Sequence, residues 1–302
     1  MGFIKFDILG LASLRMVEGA VERILKRHHG IENPTFEQVR NFYNEHLHPD
    51  KIDLDDSQVW RNVFHKGKWA GIFQFTEAGA QSFCKNARPD NITDLAAITS
   101  IYRPGPLSAG VDKMFIGAKQ EPDEVEYQNQ TVRDVTEETY GFLIFQEQIA
   151  MLAHKLGKDL TLDEGNKLRK LLTKKGTGAA AEEKDKIFDK FQKGCLEKGM
   201  ASHEARELWN KFEYFSGYGF NKSHAVSYCI LSYQCAWLLN YYPAEWLAAF
   251  LDKEPETRKE RAIATAKSMG YVVEPLNVNT SGVNWEISED GKTLVQPLTS
   301  IK

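Results

Sequence analysis

Apolar positions recur at helical spacing through most of the chain, with short extended patterns near either end. Phe3-Ile4-Lys5-Phe6-Asp7-Ile8-Leu9 alternates briefly and then turns apolar, which predicts a short core strand ended by Gly10. From Ala12 to about His29, Leu14, Val17, Val21, Ile24 and Leu25 fall at three-and-four spacing, an amphipathic helix with Gly30 as its stop. Thr35-x-x-Gln38 has the capping-box pattern and starts a second helix. A short one follows Asp55 and Asp56 and carries Val59, Trp60 and Val63. Similar signals predict helices from Thr76, from Thr93, from Thr161 with Glu164 three residues on, and from Ser202 to about Phe215. Ala179 to Glu197 has helical composition, and Gly176-Thr177-Gly178 before it reads as a flexible elbow. Tyr228 to Leu239 is apolar almost all round, so that helix should be central and buried; Pro243 suits the first position of the next, Ala244–Leu251.

After Asp252 the pattern changes. A charged helix from Glu256 to Met269 should stop at Gly270. Tyr271–Val273, Asn284–Ile287 and Thr293–Val295 then read as short strands, with Asp290-Gly291 a hairpin signal. The fold class is therefore mainly α, with a short strand at the N-terminus and a small α/β unit at the C-terminus. No strand near the first one in sequence can pair with it, and the chain stops at Ile301-Lys302 without a closing element. Both ends are expected to be cut from a longer polypeptide.

Composition narrows the class. Of 302 residues, 42% are hydrophobic and 26% charged, the balance of a soluble globular chain with a sizeable core. No uninterrupted apolar run reaches the length of a membrane span, and no secretory signal is predicted. The four cysteines (84, 195, 229 and 235) include no C-x-x-C pair, which fits buried thiols in a reducing cytoplasm. The net charge of −4 argues against bulk electrostatic attraction to nucleic acid. Between Lys167 and Lys198, however, ten basic residues face five acidic ones, and this local excess keeps a polyanionic partner in play.

Five segments could carry chemistry, and each has an ordinary structural alternative. Asp7 lies between Phe6 and Ile8, where a carboxylate is costly unless paired, hydrogen-bonded or metal-bound. It is either a structural acid or a divalent-metal ligand, with Lys5 supplying countercharge to phosphates. Tyr102-Arg103-Pro104-Gly105-Pro106 predicts a rigid, non-helical loop that holds the Arg103 guanidinium for phosphate or carboxylate, or an ordinary turn with a surface Arg. Arg169, Lys170 and Lys174 put two or three cations on one helix face beside the elbow. That is a mobile cationic helix end suited to a triphosphate, or a solvated helix C-terminus. Gly217-Tyr218-Gly219-Phe220-Asn221-Lys222-Ser223-His224 opens the buried helix and offers an anion site at its N-terminus, or a plain cap from Asn221 or Ser223. Gln146 and Gln148 could read a base or sugar, or begin a helix as polar residues commonly do.

In this order, with Gly71-Ile72-Phe73-Gln74-Phe75, Tyr140-Gly141 and Tyr242-Pro243-Ala244-Glu245, the segments closely resemble the C-family replicative DNA polymerases of bacterial type, the DNA polymerase III alpha subunits, from residue 4 to the end. The resemblance implies that residues 1–12 are the end of the palm, with Asp7 matching the third metal-binding aspartate. Residues 13–252 are then the helical fingers domain, and 253–302 lead towards a helix-hairpin-helix element. Arg169, Lys170 and Lys174, together with Asn221, Lys222, Ser223 and His224, would face the incoming nucleotide, with Lys5 and Arg103 nearby. The implied reaction is Mg²⁺-dependent, template-directed nucleotidyl transfer from deoxynucleoside triphosphates to primer-template DNA. The remainder of the polymerase (palm, thumb and N-terminal domain) would be needed, and a sliding clamp would act through regions outside this chain. The family usually has two adjacent arginines followed by Met-Gly-Lys-Lys; here Lys170 stands for the second, and Leu172-Thr173 for Met-Gly. Lysine keeps the charge without the planar fork. No segment supplies the paired palm aspartates, so the chain is expected to be a fragment inactive alone, or half of a split polymerase. A non-catalytic helical module that binds nucleic acid is the alternative.

Overall fold

Helical periodicity decides the architecture. The structure is a computed structural model describing residues 10–173 and 179–301, and among these it contains fifteen α-helices and three short strands. The strand expected over 3–9 and the elbow at 176–178 lie outside the described residues.

Helix α1 (Ala12–His29) buries Val17, Val21, Ile24 and Leu25, and Gly30, at φ +68°, ends it in the left-handed region. Thr35 caps α2 (Phe36–Phe42) through the expected reciprocal box: Gln38 N–H donates to Thr35 Oγ1 at 3.3 Å, and Thr35 N–H to Gln38 Oε1 at 2.9 Å. This helix continues as a wider turn, Tyr43–Leu47, as does α3 (Ser57–Val59) through Trp60–His65. Next come α4 (Ala78–Ala87) and α5 (Ile92–Ile101). The α5 cap is Asn91, whose side chain accepts from Asp94 N–H, and not the predicted Thr93. Then follow α6 (Pro104–Ser108), α7 (Val111–Gln120), α8 (Gln130–Thr136), α9 (Gln146–Leu156), α10 (Leu162–Thr173), α11 (Ala179–Glu197) and α12 (Ser202–Ser216). The largely apolar helix α13 (Lys222–Tyr241) precedes α14 (Pro243–Lys253), which has Pro243 at its first position, and the charged α15 (Glu256–Ser268). The C-terminal strands are β1 (Val272–Glu274), β2 (Glu286–Ile287) and β3 (Thr293–Val295). They form one sheet in the order β1-β3-β2, with β1 parallel and β2 antiparallel to β3. In the β2–β3 turn, Asp290 accepts from the N–H groups of Lys292 and Thr293. The chain is thus mainly α with a small α/β element at its C-terminal end.

Two compact units result. Ser82–Cys229 form one; the stretches through Gln81 and from Ile230 form the other. In the second of these, all eight residues from Ala244 to Leu251 of α14 are buried, and Trp246 Nε1 donates to the Ala70 carbonyl at 2.7 Å. The buried Glu245 carboxylate is met by Arg27 Nε at 2.9 Å and His28 Nε2 at 3.0 Å. The Ser82–Cys229 unit is centred on α9. Ile149, Leu152 and Leu156 of that helix join Leu168, Phe191, Cys195, Leu208, Trp209 and Phe212 in one core. A charged network lies in the same unit. Asp94, 1% exposed, pairs with Lys119 Nζ at 2.8 Å and accepts from Tyr140 Oη at 2.9 Å. All four cysteines are free and buried. No helix among the described residues is long and apolar enough to cross a membrane.

Candidate functional site

The Ser82–Cys229 unit gathers several of the sequence candidates at one corner, built by the start of α9 and the start of α13. Phe145 and Phe220 form an isolated parallel bridge: Phe220 N–H donates to the Ile144 carbonyl at 3.0 Å, and Gln146 N–H to the Phe220 carbonyl at 2.9 Å. Gln146 Nε2 also donates to the Gly219 carbonyl at 2.8 Å. The loop before α13 is thereby stitched to the first residues of α9.

At the α13 N-terminus the backbone donors have partners from the chain itself. Asn221 Oδ1 accepts from His224 N–H at 2.8 Å and from the Ser223 hydroxyl at 2.7 Å, which is the capping role. Glu147 receives Asn221 Nδ2 at 2.8 Å and Lys222 N–H at 3.0 Å. A carboxylate at that end of the helix also suits its dipole. Lys222 Nζ grips both oxygens of Glu138, at 2.7 and 2.6 Å, and lies 5.6 Å from the Phe145 ring. Two carboxylates therefore already balance the helix end and its lysine. His224 stays exposed, between the rings of Phe220 and Tyr228.

Arg103 is fixed by a different local structure from the one predicted. The segment is not a non-helical loop: Pro104 opens α6, Arg103 occupies the cap position in extended conformation, and Leu107 N–H donates to the Arg103 carbonyl at 3.1 Å. Proline is accepted in the first turn because its missing N–H would have no helical partner there. Arg103 Nε donates to the Ser100 carbonyl at 2.7 Å, its NH2 nitrogen bonds the Tyr218 carbonyl, and the guanidinium lies 4.7 Å over the Phe220 ring. Partial burial lowers the guanidinium pKa from its ordinary value. Gly105 makes room for this packing, since a Cβ there would come within 2.2 Å of the Tyr218 ring and displace it.

The basic helix reaches the same scaffold through α9. A Cβ on Gly165 would lie 2.5 Å from the Ala150 carbonyl oxygen, so α10 crosses α9 in close contact at that point. Arg169 follows Gly165 by one turn, and Gln146 precedes Ala150 by one turn; each step is about 6 Å along its helix. The backbone of Arg169 and the exposed Lys170 are thus one turn from a crossing that is itself one turn from the α13 corner. Only the backbone of Arg169 is described, while Lys5, Asp7 and Lys174 lie outside the described residues.

The corner combines a fixed guanidinium, an exposed imidazole and serine, and a nearby basic helix. Such a set can orient an anionic, ring-bearing ligand. Among the described residues no group of three or more His, Cys, Asp or Glu converges as a metal site. Gln148 is not available to a ligand: it is 3% exposed, its Oε1 accepts from the N–H groups of Ile144 and Phe145, and its Nε2 donates to Thr139 Oγ1 and the Val135 carbonyl. Sequence reasoning gave no role of their own to Glu138, Glu147 or Tyr228. The first two are partners across long separations, which no local spacing reveals. The i, i+4, i+8 spacing of Phe220, His224 and Tyr228 was the available signal for the third.

A family model described as bacterial DNA polymerase III alpha subunit finger domain matches residues 20–195. DNA polymerase III subunit alpha of Aquifex aeolicus is 33% identical over 293 residues, covering 97% of this chain and 23% of that relative. The subunit alpha of Xylella fastidiosa (strain Temecula1) is 33% identical over 279 residues, with 92% and 21% covered, and that of Vibrio cholerae is 30% identical over 308 residues, with 100% and 25% covered. The chain spans about a fifth to a quarter of the length of these relatives.

Proposed function

The chain belongs to the finger-domain family of the bacterial DNA polymerase III alpha subunit, and from that premise we propose that it forms the nucleotide-facing wall of a replicative DNA polymerase. In this reading residues 1–12 end the palm, 13–252 are the fingers and 253–302 lead out of them. The reaction is template-directed transfer of a nucleotide from a deoxynucleoside triphosphate to primer-template DNA in the cytoplasm, completed by the remainder of the polymerase and by a sliding clamp bound elsewhere.

The observation that carries the reading is the common attachment of two candidate walls to α9. The α13 corner is bonded to its first turn, and α10 crosses its second. Arg169, Lys170 and Lys174 would meet the triphosphate and stabilise charge moving onto the leaving pyrophosphate. Arg103 and Lys5 would add countercharge, while Asn221, Ser223 and His224 would border the sugar. Lys222, paired with Glu138 and set over the Phe145 ring, fixes the corner beside the nucleotide. Asp7, together with carboxylates from the rest of the polymerase, would hold Mg²⁺, which would supply charge stabilisation to the attacking and leaving oxygens.

Arg169→Ala in the assembled polymerase tests the proposal. If the side chain meets the triphosphate, kcat/KM for the nucleotide should fall on the order of 10²–10³, as for loss of other preorganised charge contacts, while primer-template affinity changes little. A variant that loses DNA affinity and keeps its nucleotide KM would mark α10 as a DNA-backbone contact and overturn the assignment.

A further inference from the structure

The rings at the α13 corner form an ordered run. Phe220, His224 and Tyr228 are four residues apart in sequence, so the latter two lie one above the other on one helix face. The His224 imidazole is 4.2 Å from the Tyr228 ring, centre to centre, at 37°. On its other side Phe220 is 5.6 Å away at 56°, and the Phe220 ring carries the Arg103 guanidinium at 4.7 Å. His224 is exposed and Tyr228 half-buried. The backbone N–H of His224 is the group that Asn221 caps.

We infer that Tyr228 is a positioning residue for sugar selection: its ring fixes the imidazole of His224 in the orientation that borders the nucleotide sugar. The inference rests on the reading of His224 given above. Its physical basis is the small difference being judged. A ribonucleotide differs from a deoxyribonucleotide by one oxygen, so the bordering side chain must be held to within about 0.5 Å. An exposed imidazole in the first turn of a helix has several rotamers open to it. Contact with one aromatic ring favours the held rotamer by roughly 2- to 10-fold, the equilibrium equivalent of a typical aromatic pair. Tyr228 is the nearer of the two rings, at 4.2 Å against 5.6 Å for Phe220.

The test compares His224→Ala, Tyr228→Leu and Tyr228→Phe in the assembled polymerase. Each is assayed for the ratio of kcat/KM with a deoxynucleoside triphosphate to that with the ribonucleotide of the same base. The expected result is a lowered ratio in His224→Ala, a ratio roughly 2- to 10-fold below wild type in Tyr228→Leu, and a wild-type ratio in Tyr228→Phe. Adding Tyr228→Leu to His224→Ala should lower the ratio no further. An unchanged ratio in Tyr228→Leu alongside a lowered one in His224→Ala overturns the inference and leaves the His224 reading standing. An unchanged ratio in His224→Ala overturns both. As an independent measure, the His224 ring protons should show an upfield ring-current shift in wild type and Tyr228→Phe and lose it in Tyr228→Leu. Retention of that shift in Tyr228→Leu would also defeat the inference, whatever the variant's activity.

Discussion

A polar side chain at the start of a helix can serve a ligand or its own backbone, and Gln146 and Gln148, two residues apart at the start of α9, both serve the chain itself. Gln148 is spent internally: its amide closes the turn before α9 with four hydrogen bonds in a buried setting. Gln148→Leu leaves the N–H groups of Ile144 and Phe145 without that acceptor. Each buried orphan costs about 1–3 kcal/mol, so the variant should lose about 2–6 kcal/mol of folding stability. Urea denaturation measures this, and a loss below 1 kcal/mol would mean that the two N–H groups find other acceptors. Gln146 is tied to Gly219 and so builds the loop before α13. Asn221 and Glu147 likewise satisfy the helix start, which leaves His224 and Ser223 as the side chains that the cap presents outward.

Among elements, the spacing of α9 and α10 is decided by one missing side chain. Gly165 lies against the Ala150 carbonyl, whereas Gly117 in α7 has nothing within 4 Å of its would-be Cβ. The same substitution should therefore have opposite effects. Gly117→Ala gains helix propensity and should stabilise by about 0.5–1 kcal/mol. Gly165→Ala makes the same local gain but overpacks the crossing by about 1–3 kcal/mol, for a net loss of up to about 2 kcal/mol. Paired denaturation curves decide it; a stabilised Gly165→Ala would show that the helices yield freely there. The segment at Arg103 teaches a related lesson. Two prolines predict a non-helical loop, yet positions one and three of α6 need no backbone donor.

Across the whole molecule, buried protonated groups set the response to alkali. Burial raises the Cys195 thiol to about 11 and those of Cys229 and Cys235 to about 12, from an ordinary 9.0; Cys84 also moves upward. The Tyr140 hydroxyl rises from 10.0 to about 12, first through burial and then through the Asp94 carboxylate. Tyr233 rises for the first of these reasons, and Lys119, held by Asp90 and Asp94, also moves upward. In each case the folded chain holds its proton more tightly than the unfolded one. Their stabilisation is complete below the ordinary values and is lost as pH rises towards the folded ones. The melting temperature should therefore be level from about pH 7 to 8.5 and fall progressively above about 9, with a shallower fall in Cys229→Ala. A melting temperature constant to pH 11 would contradict this account.

Local pattern by itself determined most of the longer helices, several of their stops and the small C-terminal strands, though not α6, α7 or α8, because hydrophobic spacing, capping boxes and turn residues act within a few positions of one another. It also marked Arg103, the basic run of α10 and the Asn221–His224 segment as candidate chemistry, since charge and glycine content are visible without a fold. Tertiary structure decided which of those groups have their bonds already made. Glu138 lies 84 residues from Lys222, and Glu147 lies 74 from Asn221 and 75 from Lys222. Pairings of that kind arise only when packing brings distant helix ends together. The close crossing at Gly165 is likewise a property of two helices, because a glycine within one helical pattern gives no hint of which carbonyl will press against it.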